Sequence, residues 1–213
     1  MNSKKLQENL ASNFSFDFTK DQKDVVESIS DFSSSISTRD IFLLKGYAGT
    51  GKTSLISALV KSLPSIGKRS VLLAPTGRAA KVLSKYSNKQ ASTIHRKIYW
   101  IRTRKNGNTY IKIKENTHSN TVFIVDEASM IPEATDKSFG NRSLLDDLIQ
   151  YVYDGIGCKL VLIGDTAQLP PVHLDISPAL NESFLNQAYS KEIISFTMKE
   201  VVRQEEDSTV LLN

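Results

Sequence analysis

One stretch of the chain, residues 46–53, reads Gly-Tyr-Ala-Gly-Thr-Gly-Lys-Thr and has the spacing of a phosphate-binding loop. Glycines allow backbone N–H groups to converge on phosphate oxygens, and a helix after the loop adds the positive end of its dipole. In this pattern the Lys52 ammonium binds the β and γ phosphates, and the Thr53 hydroxyl coordinates Mg²⁺. The alternative is a glycine-rich turn without a ligand, but the predicted flanking strand and helix favour a nucleoside triphosphate site. The predicted binding residues are Gly46, Gly49, Thr50, Gly51, Lys52, Thr53 and Ser54.

A pair of acidic residues follows the apolar run 121–125. An aspartate at the carboxyl end of a buried strand holds the water shell of Mg²⁺, and a neighbouring glutamate polarises the attacking water molecule. Asp126 is therefore the predicted metal residue together with Thr53, and Glu127 is a predicted catalytic residue. Two adjacent acids also begin solvated helices, but the apolar run before them and the phosphate-binding loop favour catalysis.

Polar residues also follow the apolar run 159–163, which continues as Gly-Asp-Thr-Ala-Gln-Leu-Pro-Pro. In open α/β sheets, ligands bind beyond the carboxyl ends of the strands. Gln168 is therefore predicted to contact the γ-phosphate in the same crevice as Lys52 and Asp126. By itself the stretch is equally typical of a strand exit and a turn.

Continuous apolar runs alternate along the chain with segments of helical spacing. The runs predict buried strands, and the segments predict helices that cover them. This alternation indicates an α/β fold with a mainly parallel sheet covered on both faces. The predicted strands are 41–44, 70–74, 121–125, 159–163 and 193–196. The predicted helices are a weak start at 6–13, a helix from Thr19, and helices over 54–63, 78–84 and 144–153.

The segment 97–114 departs from this alternation. Aromatic and β-branched residues lie on both sides of Asn106-Gly107, a dipeptide favoured in tight hairpin turns. The pattern predicts an inserted antiparallel hairpin. The predicted facing pairs are Trp100 with Ile113 and Tyr99 with Lys114. Trp100 either stacks on nucleic-acid bases or packs the hairpin against the domain, and the sequence leaves both interpretations open.

Basic residues are concentrated in the middle of the chain. Residues 78–120 contain 11 basic residues and 1 acidic residue, although the whole chain has a net charge of only +4. Such a segment indicates contact with a polyanion, because each Lys or Arg placed against a phosphate releases a counterion. A solvated, lysine-rich surface explains the same charge equally well.

Length and composition exclude several classes of protein. The 213 residues suffice for one substantial domain, and 40% apolar with 23% charged residues is neither collagen-like nor disordered. No apolar run approaches the ~20 residues of a membrane helix, and the polar N-terminus lacks the core of a secretory signal. One cysteine excludes an internal disulfide framework, and with three histidines it leaves no structural zinc site. We expect a soluble, cytoplasmic protein without membrane contact.

Six ordered motifs between residues 18 and 207 resemble the first motor domain of superfamily 1 helicases. The resemblance is to the RecD/TraA-like group of subfamily 1B, which includes exodeoxyribonuclease V alpha-subunit-like proteins. It implies a P-loop NTPase (RecA-like) three-layer sandwich with a mainly parallel sheet, and ATP and Mg²⁺ as cofactors. It also implies one motor domain, 1A, over residues 1–213, in which the hairpin 97–114 is a pin-like subdomain, 1B. The pin of relatives splits the duplex, so a duplex junction is an implied partner.

The resemblance implies roles for further residues. Gln22 is similar to an adenine-contacting glutamine, although Thr19-x-x-Gln22 is equally a helix capping box. Gln168 is similar to a glutamine that couples the γ-phosphate to DNA, and Arg203 to an arginine that reaches the γ-phosphate. The implied catalytic residues are thus Lys52, Asp126, Glu127, Gln168 and Arg203. The implied DNA-binding residues are Pro75, Thr76, Gly77, Arg78, Thr93 and His95, with Trp100, Arg102 and Arg104 of the hairpin.

The function that the resemblance implies is the ATP-hydrolysing motor of a DNA helicase, moving 5′ to 3′ on single-stranded DNA. A complete motor has a second domain, 2A, whose motifs do not occur up to residue 213. We therefore expect this chain alone to hydrolyse ATP weakly and not to unwind DNA. The alternative is a non-catalytic module that binds ATP and DNA, whereas a GTPase is disfavoured because residues 88–91 lack the guanine-reading aspartate. Implied partners are the missing domain and helicase–nuclease or recombination proteins.

Overall fold

A parallel sheet forms the centre of the computed structural model, which describes residues 1–103, 109–132, 143–165 and 177–202. The sheet has six strands in the order β3-β2-β6-β7-β1-β8, and every pair is parallel. Its strands are β1 (Asp40–Gly46), β2 (Arg69–Ala74), β3 (Ala91–Thr93), β6 (Thr121–Val125), β7 (Lys159–Gly164) and β8 (Glu192–Met198). A separate antiparallel pair is formed by β4 (Tyr99–Thr103) and β5 (Thr109–Ile113).

Helices cover both faces of the sheet. They are α1 (Asn2–Asn13), α2 (Lys20–Ser34), α3 (Lys52–Ser62), α4 (Gly77–Ser87), α5 (Ile94–Ile98), α6 (Leu144–Tyr153) and α7 (Glu182–Tyr189). Successive residues of a strand point to opposite faces. Ile41 and Leu43 therefore join the apolar core beneath α5, α6 and α7, whereas Phe42 and Leu44 join the core beneath α1 to α4. The predicted three-layer α/β sandwich with a parallel sheet is confirmed.

The helix α2 begins where the sequence predicts. Thr19 is its N-cap: the Gln22 N–H donates to Thr19 Oγ1 at 3.3 Å, and the Thr19 N–H donates to Gln22 Oε1 at 3.0 Å. These reciprocal bonds satisfy two backbone donors that a helix start leaves unpaired. Val25 and Ile29, one helical turn apart, are then buried against the sheet. The capping box of the sequence analysis is therefore confirmed.

The inserted hairpin is present, but its predicted register is wrong by one residue. Tyr99 pairs with Ile113, and Trp100 pairs with Lys112. Tyr99 is buried, and its hydroxyl donates to Asp147 Oδ2 at 2.7 Å, while Ile113 packs against the same core. A shift of one residue exchanges the two faces of a strand. The predicted register would have placed Trp100 beside Ile113 on the core side, so burial of Tyr99 decides the register.

One strand and two helices are too short to give a recognisable apolar pattern in the sequence. The strand β3 has three residues, all partly exposed, and its pairing with β2 makes it a strand. The helix α5 has five residues, and α7 begins where Asn181 Oδ1 accepts the Phe184 N–H at 3.1 Å. The predicted turn at Asn106-Gly107 lies outside the described residues. Among the described helices, none combines the length and the apolar character that crossing a bilayer requires.

Candidate active site

The phosphate-binding loop connects β1 to α3 at the carboxyl edge of the sheet. Gly49 and Gly51 have φ angles of 79° and 85°, a left-handed conformation that residues with a Cβ adopt only with strain. Gly51 is the N-cap of α3, and no side chain caps this helix start in the described part of the chain. Lys52, Thr53 and Ser54 form the first turn, so its backbone N–H groups are available to an anion.

Lys52 lies across the loop. Its Nζ donates to the carbonyl oxygens of Gly46 at 2.6 Å and Tyr47 at 2.7 Å. Burial lowers the pKa of Lys52, and the negative charges of Asp165, Asp126 and Glu127 oppose that change. Three carboxylates from the ends of β6 and β7 therefore act on the ammonium of a loop that follows β1. The structure thus brings Lys52 and Asp126 together, as the sequence predicts.

Asp126 and Glu127 stand directly beyond β6. The Asp126 N–H donates to the Leu73 carbonyl at 3.0 Å, and Asp126 Oδ1 accepts the Glu127 N–H at 3.0 Å. Burial raises the pKa of Asp126, and the negative charge of Glu127 raises it further. The hydrogen bond from the Glu127 N–H and the positive charge of Lys52 both lower this pKa, but by less than burial raises it. Glu127 has a φ of 55°, which is strained for a residue with a side chain. The chain therefore turns at Glu127, directly after the end of β6.

Asp165 is a site residue that the sequence analysis does not single out. It follows β7, the strand between β1 and β6, and it is the strongest of the three carboxylates acting on Lys52. The signal in the sequence is its position directly after an apolar strand, the same position that Asp126 has after β6. Gln168, three residues further on, lies outside the described residues.

The arrangement fits a nucleoside triphosphate with Mg²⁺. The uncapped start of α3 and the Lys52 ammonium suit phosphate oxygens. Thr53, on the first turn of α3, supplies a hydroxyl, and Asp126 supplies a carboxylate. These are the hard oxygen ligands that Mg²⁺ prefers. The predicted nucleotide residues therefore lie together around one loop.

Gln22 connects α2 to this loop. It is buried, its Oε1 accepts the Thr19 N–H, and its Nε2 donates to the Thr50 carbonyl at 3.1 Å. A Cβ at Gly51 would lie 2.6 Å from the same Nε2. The structural role of Gln22 is thus present in detail, and contact with adenine stays a prediction.

Gly51→Ala is expected to lower the free energy of unfolding by about 2–4 kcal/mol. About 1–2 kcal/mol comes from the left-handed backbone, and a similar amount from displacing the hydrogen bonds of Gln22. Gly67→Ala is the matched control, because Gly67 also has a positive φ of 71° but no atom lies within 4 Å of its added Cβ. Urea unfolding of both variants measures the difference, and equal losses would contradict tight packing of Gln22 on the loop.

The segment after β8 also lies against the loop. Asp21 Oδ2 accepts the N–H groups of Lys199 at 2.7 Å and Glu200 at 3.2 Å, which lowers the pKa of Asp21. The Val202 N–H donates to the Gly49 carbonyl at 3.0 Å. This segment leads directly to Arg203, which lies outside the described residues. Asp21 is a second residue missed by the sequence analysis, because the partners of its carboxylate are 178 and 179 positions away.

The predicted DNA-binding residues outside the hairpin meet at the neighbouring part of the same sheet edge. Ala74 pairs with Thr93, so the segments that follow β2 and β3 leave the sheet side by side. Thr76 caps α4 by accepting the Ala79 N–H, and Thr93 caps α5 by accepting the Arg96 N–H. The residues placed at this edge are Pro75, Thr76, Gly77, Arg78, Thr93 and His95. Since β2 pairs with β6, these segments lie next to Asp126 and Glu127 at the end of β6.

The hairpin presents Trp100 on its outer face. Trp100 is 56% exposed, and Lys114 Nζ lies 4.8 Å from the centre of its ring. Tyr99, rather than Trp100, anchors the hairpin to the domain. Arg102 belongs to β4, whereas Arg104 lies outside the described residues.

Residues 17–212 match the family AAA_30, which is described as an AAA domain. The chain belongs to this AAA domain family. A solved structure with a similar fold is the Pif1 helicase from Candida albicans, with a TM-score of 0.52 and 23% sequence identity. The alignment covers 89% of this chain and 41% of that chain, and it supports the fold alone.

Curated relatives of this AAA domain include two helicases. It is 32% identical over 164 residues to the ATP-dependent DNA helicase dda of Enterobacteria phage T4, covering 75% of this chain and 34% of the phage protein. It is 33% identical over 132 residues to the ATP-dependent RecD2 DNA helicase of Deinococcus radiodurans, covering 62% of this chain and 16% of that protein. The AAA domain thus spans about a third or less of each relative. The resemblance to superfamily 1B helicases is confirmed.

Proposed function

We propose that this AAA domain is the ATP-hydrolysing motor of a DNA helicase, coupling hydrolysis to 5′-to-3′ movement on single-stranded DNA. The observation that carries the proposal is the position of Lys52, which lies in the phosphate-binding loop and is acted on by Asp126, Glu127 and Asp165. One sheet edge therefore combines an ammonium group that suits phosphate oxygens with carboxylates that suit a metal ion and a water molecule. Groups held in place before reaction supply much of the rate enhancement of such enzymes.

Each residue has a proposed role in hydrolysis. The first-turn N–H groups of α3 and the Lys52 ammonium hold phosphate oxygens and stabilise the charge that develops on them. Mg²⁺ bound with the nucleotide supplies further neutralisation of those oxygens. Thr53 and Asp126 hold the ion, and the Glu127 carboxylate orients the attacking water and accepts its proton. Two further contacts to the γ-phosphate are proposed, from Gln168 and Arg203, and Gln22 is proposed to contact adenine.

A direct hydrogen bond supports coupling between the nucleotide and DNA. The Leu73 carbonyl of β2 accepts the Asp126 N–H at 3.0 Å. One residue further, β2 ends at Ala74 and continues into the proposed DNA-binding segment 75–78. A displacement of that segment by DNA would therefore act on Asp126 through a single strand end. Sheet strands are rigid over such a short distance, which favours transmission of small movements.

We also propose that strand separation requires a second motor domain in addition to residues 1–213. The support is the extent of the relatives, since this AAA domain spans 34% of dda and 16% of RecD2. The remaining proposed partners are a duplex junction at the hairpin 97–114 and helicase–nuclease or recombination proteins. The proposed location is the cytoplasm.

Phosphate release with and without single-stranded DNA tests the proposed function. We expect weak hydrolysis of ATP that single-stranded DNA stimulates, and no separation of a forked duplex by this chain alone. ATP should be preferred to GTP at equal concentration. DNA-independent hydrolysis that prefers guanine nucleotides would contradict the helicase proposal. Binding of ATP and DNA without any phosphate release would instead favour the non-catalytic module.

A further inference from the structure

A basic cavity of about 470 Å³ lies away from the nucleotide site. It is lined by residues 70–72 of β2, by residues 90–92 at the start of β3 and by two residues of α5. The basic side chains in its wall are Arg96, Lys97, Lys114 and His118. Among the described residues that line it, Glu115 is the one acid. Neither the nucleotide residues nor the proposed DNA-binding segments at 75–78 and 93–95 belong to its wall.

Lys97 and Lys114 repel each other in this cavity, and Lys97 also contacts His118. Lys97 Nζ lies 2.8 Å from His118 Nε2, a distance at which the lysine donates and the histidine ring accepts. Burial lowers the pKa of Lys97, and Lys114 lowers it further. Burial likewise lowers the pKa of His118, with added contributions from Lys97 and Arg69. An anion placed between the two lysines would offset the cost of burying the Lys97 charge and would reduce its repulsion by Lys114.

Lys114 joins the cavity to the outer face of the hairpin. Its Nζ donates to the Arg96 carbonyl at 2.7 Å and lies 4.8 Å from the centre of the Trp100 ring. Trp100 pairs with Lys112 across the hairpin, so these two side chains share a face. The exposed ring of Trp100 is therefore flanked by cations on the side that leads into the cavity. An aromatic platform next to a basic groove is the arrangement that binds single-stranded nucleic acid.

We propose that this cavity binds a backbone phosphate of single-stranded nucleic acid, with Lys97 and Lys114 as its cationic contacts, while a neighbouring base stacks on Trp100. The inference rests on the proposed DNA-binding function and adds a second contact region to it. Residues 78–120, with 11 basic residues and 1 acidic residue, contain the hairpin and all the basic residues of the cavity wall. The continuity with Trp100 favours a nucleic-acid phosphate over a free phosphate ion.

The fluorescence of Trp100 provides a direct test, because it is the one tryptophan of the chain. An unlabelled 20-nucleotide thymidine strand should quench this fluorescence on titration. The double variant Lys97→Gln/Lys114→Gln should bind the strand about tenfold more weakly at 0.1 M salt. The slope of log affinity against log salt should fall by about 0.7 for each phosphate contact that is lost. Lys4→Gln/Lys5→Gln, on the exposed face of α1, removes the same two charges and should change neither quantity.

Folding and the source of the phosphate are controlled separately. Circular dichroism melting checks each variant, and Lys97→Arg/Lys114→Arg keeps the charges and should restore most of the affinity. If the glutamine variant binds the strand with the same affinity and the same salt slope as the wild type, the inference is overturned and the proposed function is left intact. The same holds if inorganic phosphate stabilises the wild type but not that variant, while both bind the strand equally. No binding of the strand by the wild type would overturn both proposals.

Discussion

Lys52→Ala is expected to weaken ATP binding at least about 100-fold, which corresponds to about 2.7 kcal/mol. A charge-assisted hydrogen bond contributes about 1.5–3 kcal/mol, and Lys52 is proposed to contact two phosphate groups. The substitution also removes the donor to the Gly46 and Tyr47 carbonyls. Because burial already disfavours the charge of Lys52, we do not expect the variant to unfold. Titration with a fluorescent ATP analogue measures the loss.

The matched control for this prediction is Lys61→Ala. Lys61 lies on the same helix, α3, but is exposed in its last turn, so the change of residue and of net charge is identical. ATP affinity within about threefold of the wild type is expected for the control, since Lys61 lies about two and a half turns from Lys52. Nearly unchanged ATP affinity in Lys52→Ala, with a normal melting temperature, would contradict the assignment of residues 46–53 as the phosphate site.

Glu127→Gln is expected to leave ATP affinity nearly unchanged and to lower the rate of phosphate release at least about 100-fold. Removal of a general base typically lowers the rate about 10²–10⁴-fold. The amide has the size of the carboxylate but does not accept a proton from water. Glutamine also carries a Cβ, so the left-handed strain at φ 55° is the same in both proteins. The difference between them therefore reports proton transfer and not folding.

Phosphate release in the presence of single-stranded DNA and binding of the ATP analogue should be measured on the same samples. Glu27→Gln, at an exposed position of α2, is the control for loss of one negative charge. A variant at position 127 that releases phosphate at the wild-type rate would contradict the role of Glu127. It would shift that role to Asp165, the remaining carboxylate that acts on Lys52 besides Asp126.

The two substitutions together separate binding from catalysis at one sheet edge. Lys52 belongs to the loop after β1, and Glu127 follows β6, with β7 between them. Loss of binding at the first position and loss of turnover at the second would show that groups from different strands act on one nucleotide. If both variants lose ATP binding as well as turnover while their melting temperatures stay normal, Lys52 and Glu127 instead share one structural role at this sheet edge.

The sequence by itself determined the features that depend on neighbouring residues. Continuous apolar runs predict β6 and β7 because a strand buried on both faces favours apolar residues at successive positions. The glycines and the lysine of residues 46–53 predict the phosphate-binding loop, because glycines adopt the left-handed conformation of positions 49 and 51 without strain. Thr19 and Gln22 predict the start of α2 because both partners of the capping box lie within one helical turn. In each case the decisive contacts span a few residues.

Only the tertiary structure decided the features whose partners are distant in the chain. Strand order places Asp165 beside Lys52, and packing places the Asp21 carboxylate against residues 199 and 200. Burial of Tyr99 against the core shifts the hairpin by one residue from the register that its turn dipeptide predicts. The basic cavity likewise forms from β2, β3, α5 and the segment after β5, which meet only on folding. These contacts depend on which surfaces the folded chain buries together, and a local pattern of residues contains no information about that.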